Sequence, residues 1–277
     1  MLLIQFLISI ILSCAHSPNY PMQNVQSKPE NSIRILSLNI GHGRGAQLHQ
    51  ILVGKKGVVK NIDRIAHEIM LQKSDIVALQ EIDGPSIWSG SISHNQRIAK
   101  SSSLPYEFRG THVRMPSLTY GTAILSKYPF TNTDSKIFTP SPPLPNKGFV
   151  WADISVQNQL IRVVSLHLDF ARHSVRKKQL AEVSAVLQNS NIPLIVMGDF
   201  NTEWNSTMED FCNQNNLQRH EASQKRITFP KTKKELDWIL ISNSLRFISY
   251  QVLPYKMSDH LAITATIQIE SENSATK

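Results

Sequence analysis

The chain alternates between short apolar runs that stop abruptly at a polar side chain and longer stretches whose apolar positions recur with helical spacing. The sharpest run is Pro193 to Asn201. Four apolar residues follow the proline, Gly198 allows close backbone approach, and Asp199 and Asn201 then share a face while Phe200 turns back toward the core. A strand followed by an Asx turn would read the same way in isolation. The pattern recurs, however. Ile33 to Asn39 is an apolar strand ending in an amide, and Asp75 to Glu81 places Val77, Leu79 and Glu81 on one face. A buried, unpaired carboxylate is costly, so Glu81 calls for a cation or a place at an open edge, and a metal ion is the economical partner. Tyr120 to Pro129 reads as a strand closed by proline. Phe149 to Val156 and Leu160 to Leu168 read as a hairpin joined through Gln157-Asn158-Gln159, with His167 near its end. Glu235 to Ile241 carries Asp237 near its start, and Met257-Ser-Asp259-His260 precedes a closing strand, Leu261 to Ile269.

Helical spacing marks Val58 to Lys73, with Val58, Val59, Ile62, Ile65, Ala66, Ile69 and Met70 on the apolar side. A second helix is predicted from a cap at Ser174 to about Gln188, burying Leu180, Val183, Val186 and Leu187. Ser206-Thr-Met-Glu209 has the form of a capping box, so a third helix starts just beyond the Asp-Asn pair. Gly84 to Ser103, which contains Trp88, and Pro140 to Pro145 read as loops. Strands and helices alternate through one α/β domain, residues 33–270, without a repeat at solenoid spacing.

The N-terminus breaks this pattern. Met1 to Leu12 is almost purely apolar and too short to span a bilayer, so residues 1–14 read as a signal peptide, although no Lys or Arg precedes the apolar run. It ends in Ile11-Leu12-Ser13-Cys14, which resembles a bacterial lipobox and makes Cys14 the lipidation site. Residues 15–32 are polar, contain Pro18, Pro21 and Pro29, and read as a flexible tether, and residues 271–277 form a polar tail. The expected place is the bacterial cell envelope, lipid-anchored in the outer membrane or on the periplasmic side, with plain secretion as the alternative. Only Cys212 remains once Cys14 is set aside, so the mature domain has no internal disulfide and depends on core packing. We expect a monomer. Hydrophobic content of 41% and charged content of 18% are ordinary, whereas the net charge of +8 suits polyanionic, phosphate-bearing or anionic-membrane partners. Arg176-Lys177-Lys178 and Lys231 to Lys234 are the basic clusters.

The polar residues at strand ends are Asn39, Glu81, His167, Asp199, Asn201, Asp237, Asp259 and His260. Carboxylates without thiolates and with few imidazoles suit a hard cation, Mg²⁺ or Mn²⁺ rather than zinc. Asp199 or a neighbouring acid can orient and deprotonate a water, an Asp/His partnership such as Asp237 with His260 fixes an imidazole, and the amides of Asn39 and Asn201 can hold a phosphoryl oxygen or a ligand. Phosphate-ester hydrolysis uses all of these. The Gly41-His42-Gly43-Arg44-Gly45 loop can turn backbone amides toward an anion, with His42 and Arg44 as charged substrate contacts. Trp88 and Trp204, in loops near Glu81 and Asn201, are candidate contacts for a base or a lipid.

In order, Leu38-Asn39, Leu79-Gln80-Glu81, Ser165-Leu-His167-Leu-Asp169, Gly198-Asp199-Phe-Asn201, Leu236-Asp237-Trp-Ile and Ser258-Asp259-His260 resemble the motifs of the endonuclease/exonuclease/phosphatase superfamily. Thr122 stands where many members have Asn, and the Gly-His-Gly-Arg loop is not that of the best-known nucleases. The resemblance implies a deoxyribonuclease I-like, four-layered α/β sandwich of two mixed β-sheets flanked by helices. It implies Glu81 as principal metal ligand with Asn39 and Asp259 in support, His260 oriented by Asp237, Asp199 as water activator, Asn201 as stabiliser of the pentacovalent state, and His167 as the second histidine. The expected activity is a metal-dependent phosphodiesterase. A nuclease acting outside the cytoplasm is favoured by the positive charge, and a sphingomyelinase-like or phosphoinositide-type lipid phosphodiesterase or phosphatase by the tether and tryptophans. A catalytically inactive binding protein on the same fold is the reading outside the enzyme class.

Overall fold

Strands that are apolar on both faces need cover on both faces, and the chain supplies it with two sheets packed together and helices outside each. The computed structural model describes residues 27–45, 47, 53–188 and 191–269. The signal segment with Cys14, the first part of the tether and the 271–277 tail lie outside the described residues. In chain order the elements are β1 (Ser32–Asn39), α1 (Gly54–Leu71), β2 (Ile76–Asp83), α2 (His94–Ser102), β3 (Tyr106–Met115), β4 (Leu118–Ser126), β5 (Phe130–Ile137) and β6 (Gly148–Val156). There follow β7 (Gln159–His167), α3 (His173–Leu187), β8 (Leu194–Asp199), α4 (Ser206–Gln214), β9 (Leu217–Arg219), β10 (Asp237–Ser242), β11 (Arg246–Val252) and β12 (Ile263–Gln268).

The six-stranded sheets run β11-β12-β1-β2-β4-β3 and β5-β6-β7-β8-β10-β9. Each has one parallel pair, β1 with β2 and β7 with β8, joined by a crossover containing α1 or α3. This is the expected four-layered α/β sandwich. Alternation along the strands sorts the layers. Ile33, Ile35, Ile76, Ala78, Val163, Ile195, Met197 and Ile239 fill the space between the sheets. Leu36, Leu38, Val77 and Leu79 face Val58, Ile62, Ile65 and Ile69 of α1, while Val164, Leu166, Val196 and Leu240 face α3 and α4. Each Val, Leu, Ile or Met side chain among them contributes about 1.5–3 kcal/mol on full burial. Among the described residues no helix is long and apolar enough to cross a membrane.

The inter-sheet layer turns polar at its last level before the strand ends. Gln80 Nε2 donates to Ser165 Oγ at 3.1 Å and to Ser37 Oγ at 3.4 Å, and Ser165 Oγ donates to Leu79 O at 3.2 Å. These bonds tie the parallel pair of one sheet to that of the other immediately beneath the site.

Several expectations need correction. The stretch read as a loop from Gly84 to Ser103 contains α2, whose short buried side of Ile98 and Ala99 is too small to show as periodicity. Strands β3, β5, β9 and β11 mix polar residues into their pattern and gain their order from neighbours. Helix α4 is capped by Asn205, whose Oδ1 accepts from Thr207 N at 2.9 Å and Met208 N at 3.2 Å, one residue before the proposed box. Ser174 lies inside α3, and Asp169 Oδ1 satisfies the preceding amides of Ala171 and Arg172. The end of the tether is part of the fold, because Lys28 pairs with Asp75 and Ser32 already belongs to β1. The β6–β7 hairpin is joined by Gln157 and Asn158 alone, at φ 50° and 67°, the geometry of a tight two-residue turn.

Gly198 is the tightest point of the β7–β8 pair. It sits at φ 149°, and a Cβ there would lie 2.1 Å from Leu166 O. Gly198→Ala therefore forces backbone apart in the strand that ends at Asp199. A stability loss well beyond about 1 kcal/mol is expected in urea unfolding; an unchanged midpoint would show that β7 and β8 can separate freely.

Candidate active site

The site lies where the C-terminal ends of both parallel pairs reach the same edge of the sandwich. Across one sheet, register pairing aligns Gly148, His167, Asp199 and Asp237 in a single row. Asn39 ends β1 in the other sheet, and its Nδ2 crosses to donate to Asp199 Oδ2 at 3.0 Å. Asp259 and His260 precede β12, where Ser258 Oγ donates to Asn39 O and accepts from His260 N at 2.9 Å. The cleft between these elements has a volume of about 310 Å³ and takes in Asn39, Glu81, His167, Asp199, Asn201 and His260.

Asp199 does two things at once. Its Oδ1 accepts from Asn201 N at 2.9 Å, the Asx turn anticipated from the bare sequence. Its Oδ2 faces the cleft, 3.4 Å from His167 Nε2 and 3.7 Å from His260 Nε2. Phe200 points back into the core between the strands and helices, as alternation requires. Asn201 Nδ2 donates to Leu168 O at 3.1 Å.

Asp237 stands directly opposite Asp199, a costly pairing of like charges without a cation nearby. His260 provides it, with Nδ1 2.9 Å from Asp237 Oδ2 and its ring tilted on Phe229 at 4.8 Å. Burial alone would lower the imidazole's pKa, but the charges of Asp237 and Asp199 outweigh it and raise it to about 10. Burial pushes Asp199 upward, with Asp237 adding to the rise and His260 opposing it.

Glu81 departs from its expected orientation. A bulge in the β2–β4 pairing between Gln80 and Ile82 puts Glu81 at φ 51°, so Ile82 takes the place beside Val77 and Leu79 while Glu81 is released into the cleft. Its cations are supplied by the chain itself: His42 Nε2 at 3.5 Å, Arg44 Nη1 at 3.5 Å and Lys147 Nζ at 4.0 Å. Burial by itself would raise the carboxyl, but the charges of His42, Lys147 and Arg44 together hold it well below the usual carboxylate range.

Arg44 also reaches Asp259, with Nη2 2.6 Å from Oδ2, so it bridges two of the expected metal ligands from the floor of the loop. His42 turns inward too, its Nδ1 2.7 Å from Asp83 Oδ1 and its ring edge-on to Tyr120 at 4.7 Å. Burial would lower its pKa, but Glu81 and Asp83 raise it.

The tryptophans stand apart from the cleft. Trp88 packs edge-on behind His42 at 6.4 Å and lines a separate cavity with Ile87 and Val58. Trp204 packs between Trp238 at 5.4 Å and the Arg219 guanidinium at 4.2 Å, and its Nε1 donates to Glu209 at 3.2 Å. Packing of their own loops explains both. Thr122 is also outside the cleft, fully buried with its Oγ1 2.9 Å from His112 Nε2.

Lys147 is the residue the sequence did not disclose. Its Nζ donates toward His167 at 3.0 Å from Nε2 and 3.2 Å from Nδ1. Burial lowers its pKa while Glu81, Asp199 and Asp169 resist, and burial with the Lys147 charge keeps His167 neutral. The available signal was indirect: Lys147 precedes Gly148, and Gly148 pairs opposite His167 only once the hairpin register is counted from its turn. Phe170, Phe229, Thr232 and Lys234 also line the cleft and were not singled out as site residues.

Two oxygen-rich groupings could hold a divalent cation. Asp199, Asp237 and His260 offer ligand atoms within 4.8 Å of one another, but an imidazole held protonated is a poor ligand. Asp259 Oδ1 is buried with no hydrogen-bond partner. Together with Glu81 and the amide oxygen of Asn39 it makes an all-oxygen set suited to a hard cation, in which Arg44 supplies positive charge from the protein.

An acid- and imidazole-lined cleft on the common edge of a four-layered α/β sandwich defines a hydrolase of the deoxyribonuclease I-like architecture. The chain belongs to the Endonuclease/Exonuclease/phosphatase family, whose sequence profile matches residues 36–260. Sphingomyelinase C of Bacillus cereus is 31% identical over 96 residues, a stretch spanning 29% of this chain and 29% of that protein. The chain thus matches well under two thirds of that relative's length. Among solved structures, an endonuclease/exonuclease/phosphatase from Beutenbergia cavernae superposes with a TM-score of 0.68 at 16% identity, covering 87% of this chain and 72% of that one. A family protein from Leptotrichia buccalis superposes with a TM-score of 0.66 at 21% identity, covering 86% and 100%. These two share the fold.

Behind Lys147, His112 occupies a niche opened by glycines: a Cβ on Gly148 would lie 2.6 Å from its Nδ1, and one on Gly110 3.0 Å from its Cε1. Burial, assisted by the charges of Lys147 and Arg109, lowers its pKa from 6.5 to about 3. Between those values the unfolded chain binds the extra proton and the folded chain does not. The stability due to this neutral imidazole is therefore full above about 6.5 and lost as pH falls toward 3, at up to about 1.4 kcal/mol per pH unit. Urea midpoints from pH 7 to pH 4 should fall accordingly, and His112→Gln should flatten the slope by about one proton; an identical slope in the variant would refute the assignment.

Proposed function

We propose that this protein is a divalent-metal-dependent phosphodiesterase, with nucleic acid as its substrate. The observation that carries the chemistry is the convergence of Asp199 Oδ2 and His260 Nε2 on one point of the cleft, with Asp237 behind the imidazole. Asp199 takes a proton from a water held at that point as the water oxygen bonds to phosphorus and the ester P–O bond breaks. The His260 imidazolium, charged across the neutral range, donates to a phosphoryl oxygen as negative charge builds there. Lys147, next to neutral His167, is the cation for a second phosphoryl oxygen, and Asn201 completes the edge. A divalent cation held by Glu81, Asp259 and Asn39, Mg²⁺ or Mn²⁺ by its oxygen set, would supply Lewis-acid charge to the same phosphate.

The net charge of +8 supports a nucleic-acid substrate. The match to sphingomyelinase C supports a second reading, a sphingomyelinase-like lipid phosphodiesterase. An inactive binding protein would have no use for an imidazolium poised between two carboxylates. In the same reading the protein is a monomer held in the bacterial cell envelope by lipid on Cys14.

EDTA should abolish hydrolysis of bis(p-nitrophenyl) phosphate and Mg²⁺ or Mn²⁺ restore it. Asp199→Ala and His260→Ala should each lower kcat by ~10²–10⁴-fold with the fold intact by circular dichroism. Turnover that survives both substitutions would eliminate the mechanism. Because Arg44 shares Glu81 and Asp259 with the cation, Arg44→Gln should tighten Mn²⁺ binding about tenfold, or ~1.4 kcal/mol, by calorimetry. Equal affinity would place the cation elsewhere.

A further inference from the structure

We propose that the hairpin formed by residues 228–236 is a second phosphate-binding element, which grips the backbone phosphates flanking the scissile one and so selects a nucleic-acid chain. The inference rests on the nucleic-acid phosphodiesterase reading and adds where the phosphates on either side of the scissile one are held. The hairpin is a built feature. Phe229 N donates to Lys234 O at 2.9 Å, Lys234 N to Phe229 O at 3.2 Å, and the tip is closed by Lys233 N to Pro230 O at 3.3 Å. Its base is locked to the catalytic elements: buried Thr228 accepts through Oγ1 from Leu236 N at 2.9 Å and Asp237 N at 3.1 Å, and through its carbonyl from Leu261 N at 2.8 Å. Phe229 rests on the His260 ring. The hairpin therefore holds a fixed position beside Asp237 and His260.

What it presents is positive charge. Lys231, Thr232, Lys233 and Lys234 are all exposed, and Thr232 and Lys234 line the cleft while Lys231 and Lys233 stand at the tip beyond it. Among the described residues no ion pair involves any of these three lysines, although Lys225 on the approach is paired with Glu203 and Arg226 with Glu235. Like charges this close repel one another in the free protein and gain only when an anion lies among them. The scissile phosphate is reached from inside the cleft, where Lys234 already stands. Lys231 and Lys233 are then left for groups farther along the substrate. A polyphosphodiester backbone carries such groups at a regular spacing. A choline headgroup brings a cation instead, which these lysines would repel. An anionic membrane surface is the competing occupant.

The test uses the full chain with Lys231→Gln/Lys233→Gln, which leaves every cleft-lining residue in place. Binding of a fluorescent oligonucleotide, single-stranded or duplex, is measured by anisotropy against salt in the Asp199→Ala background, so that the probe survives. The double variant should bind about tenfold more weakly at low salt, with the log–log salt slope shallower by ~0.7–0.9 per lysine removed. Hydrolysis of bis(p-nitrophenyl) phosphate, with Asp199 present, should be unchanged. Equal affinity and slope in the two proteins would overturn the proposal. So would a loss confined to vesicles containing phosphatidylglycerol, which would assign the hairpin to a membrane surface. Absence of bis(p-nitrophenyl) phosphate turnover in the unmodified chain would count against the phosphodiesterase reading itself, while the binding comparison would still decide the hairpin.

Discussion

The structure depends on the registration of two sheets at one edge, expressed most directly in the hydrogen bond from Asn39 to Asp199. Asn39 belongs to one sheet and Asp199 to the other, so this bond forms only when both β1 and β8 end at the same height. The Ser37, Gln80 and Ser165 contacts one level below enforce that height from within the interface. Apolar packing between the sheets is not directional and would tolerate a small slide. Buried polar groups do not tolerate one, because a displaced amide or hydroxyl would lose its partner in a dry environment. The polar level thus sets the geometry that the apolar core only makes possible.

Above that level the site is governed by charge. Glu81, Asp83, Asp199, Asp237 and Asp259 converge there, and the chain answers with His42, Arg44, Lys147 and His260. Burial would neutralise isolated groups of either sign. Placed together, Glu81 is kept ionised by its cations and His260 is kept protonated by Asp237 and Asp199, whereas burial still pushes Asp199 up and Lys147 down. His167 and His112 take the opposite course, because a neighbouring ammonium and burial both favour the neutral ring. Imidazoles in one cleft thereby differ in charge at the same pH, which is what separate roles at a phosphate require.

The central strands and the helices covering them were legible in the chain because burial on both faces leaves continuous apolar runs and burial on one face leaves helical spacing. The strand-end residues Asn39, Glu81, His167, Asp199, Asn201, Asp237, Asp259 and His260 could be collected for the same reason: a polar side chain closing an apolar run is a local signal. Edge strands such as β5 and the short α2 carried none, since their order comes from a partner rather than from their own pattern.

Chain order, alternation and motif by themselves determined the layered α/β architecture, the family and the set of polar residues at strand ends, because hydrophobic period and motif are written residue by residue. Tertiary structure alone decided how those residues face one another. The bulge that frees Glu81 arises from pairing with β4, Lys147 enters through the register of β6 against β7, and Arg44 folds inward onto Asp259 from a distant part of the chain. It also withdrew Trp88 and Trp204 from the cleft, since what surrounds a ring in space is not encoded in its neighbours along the chain.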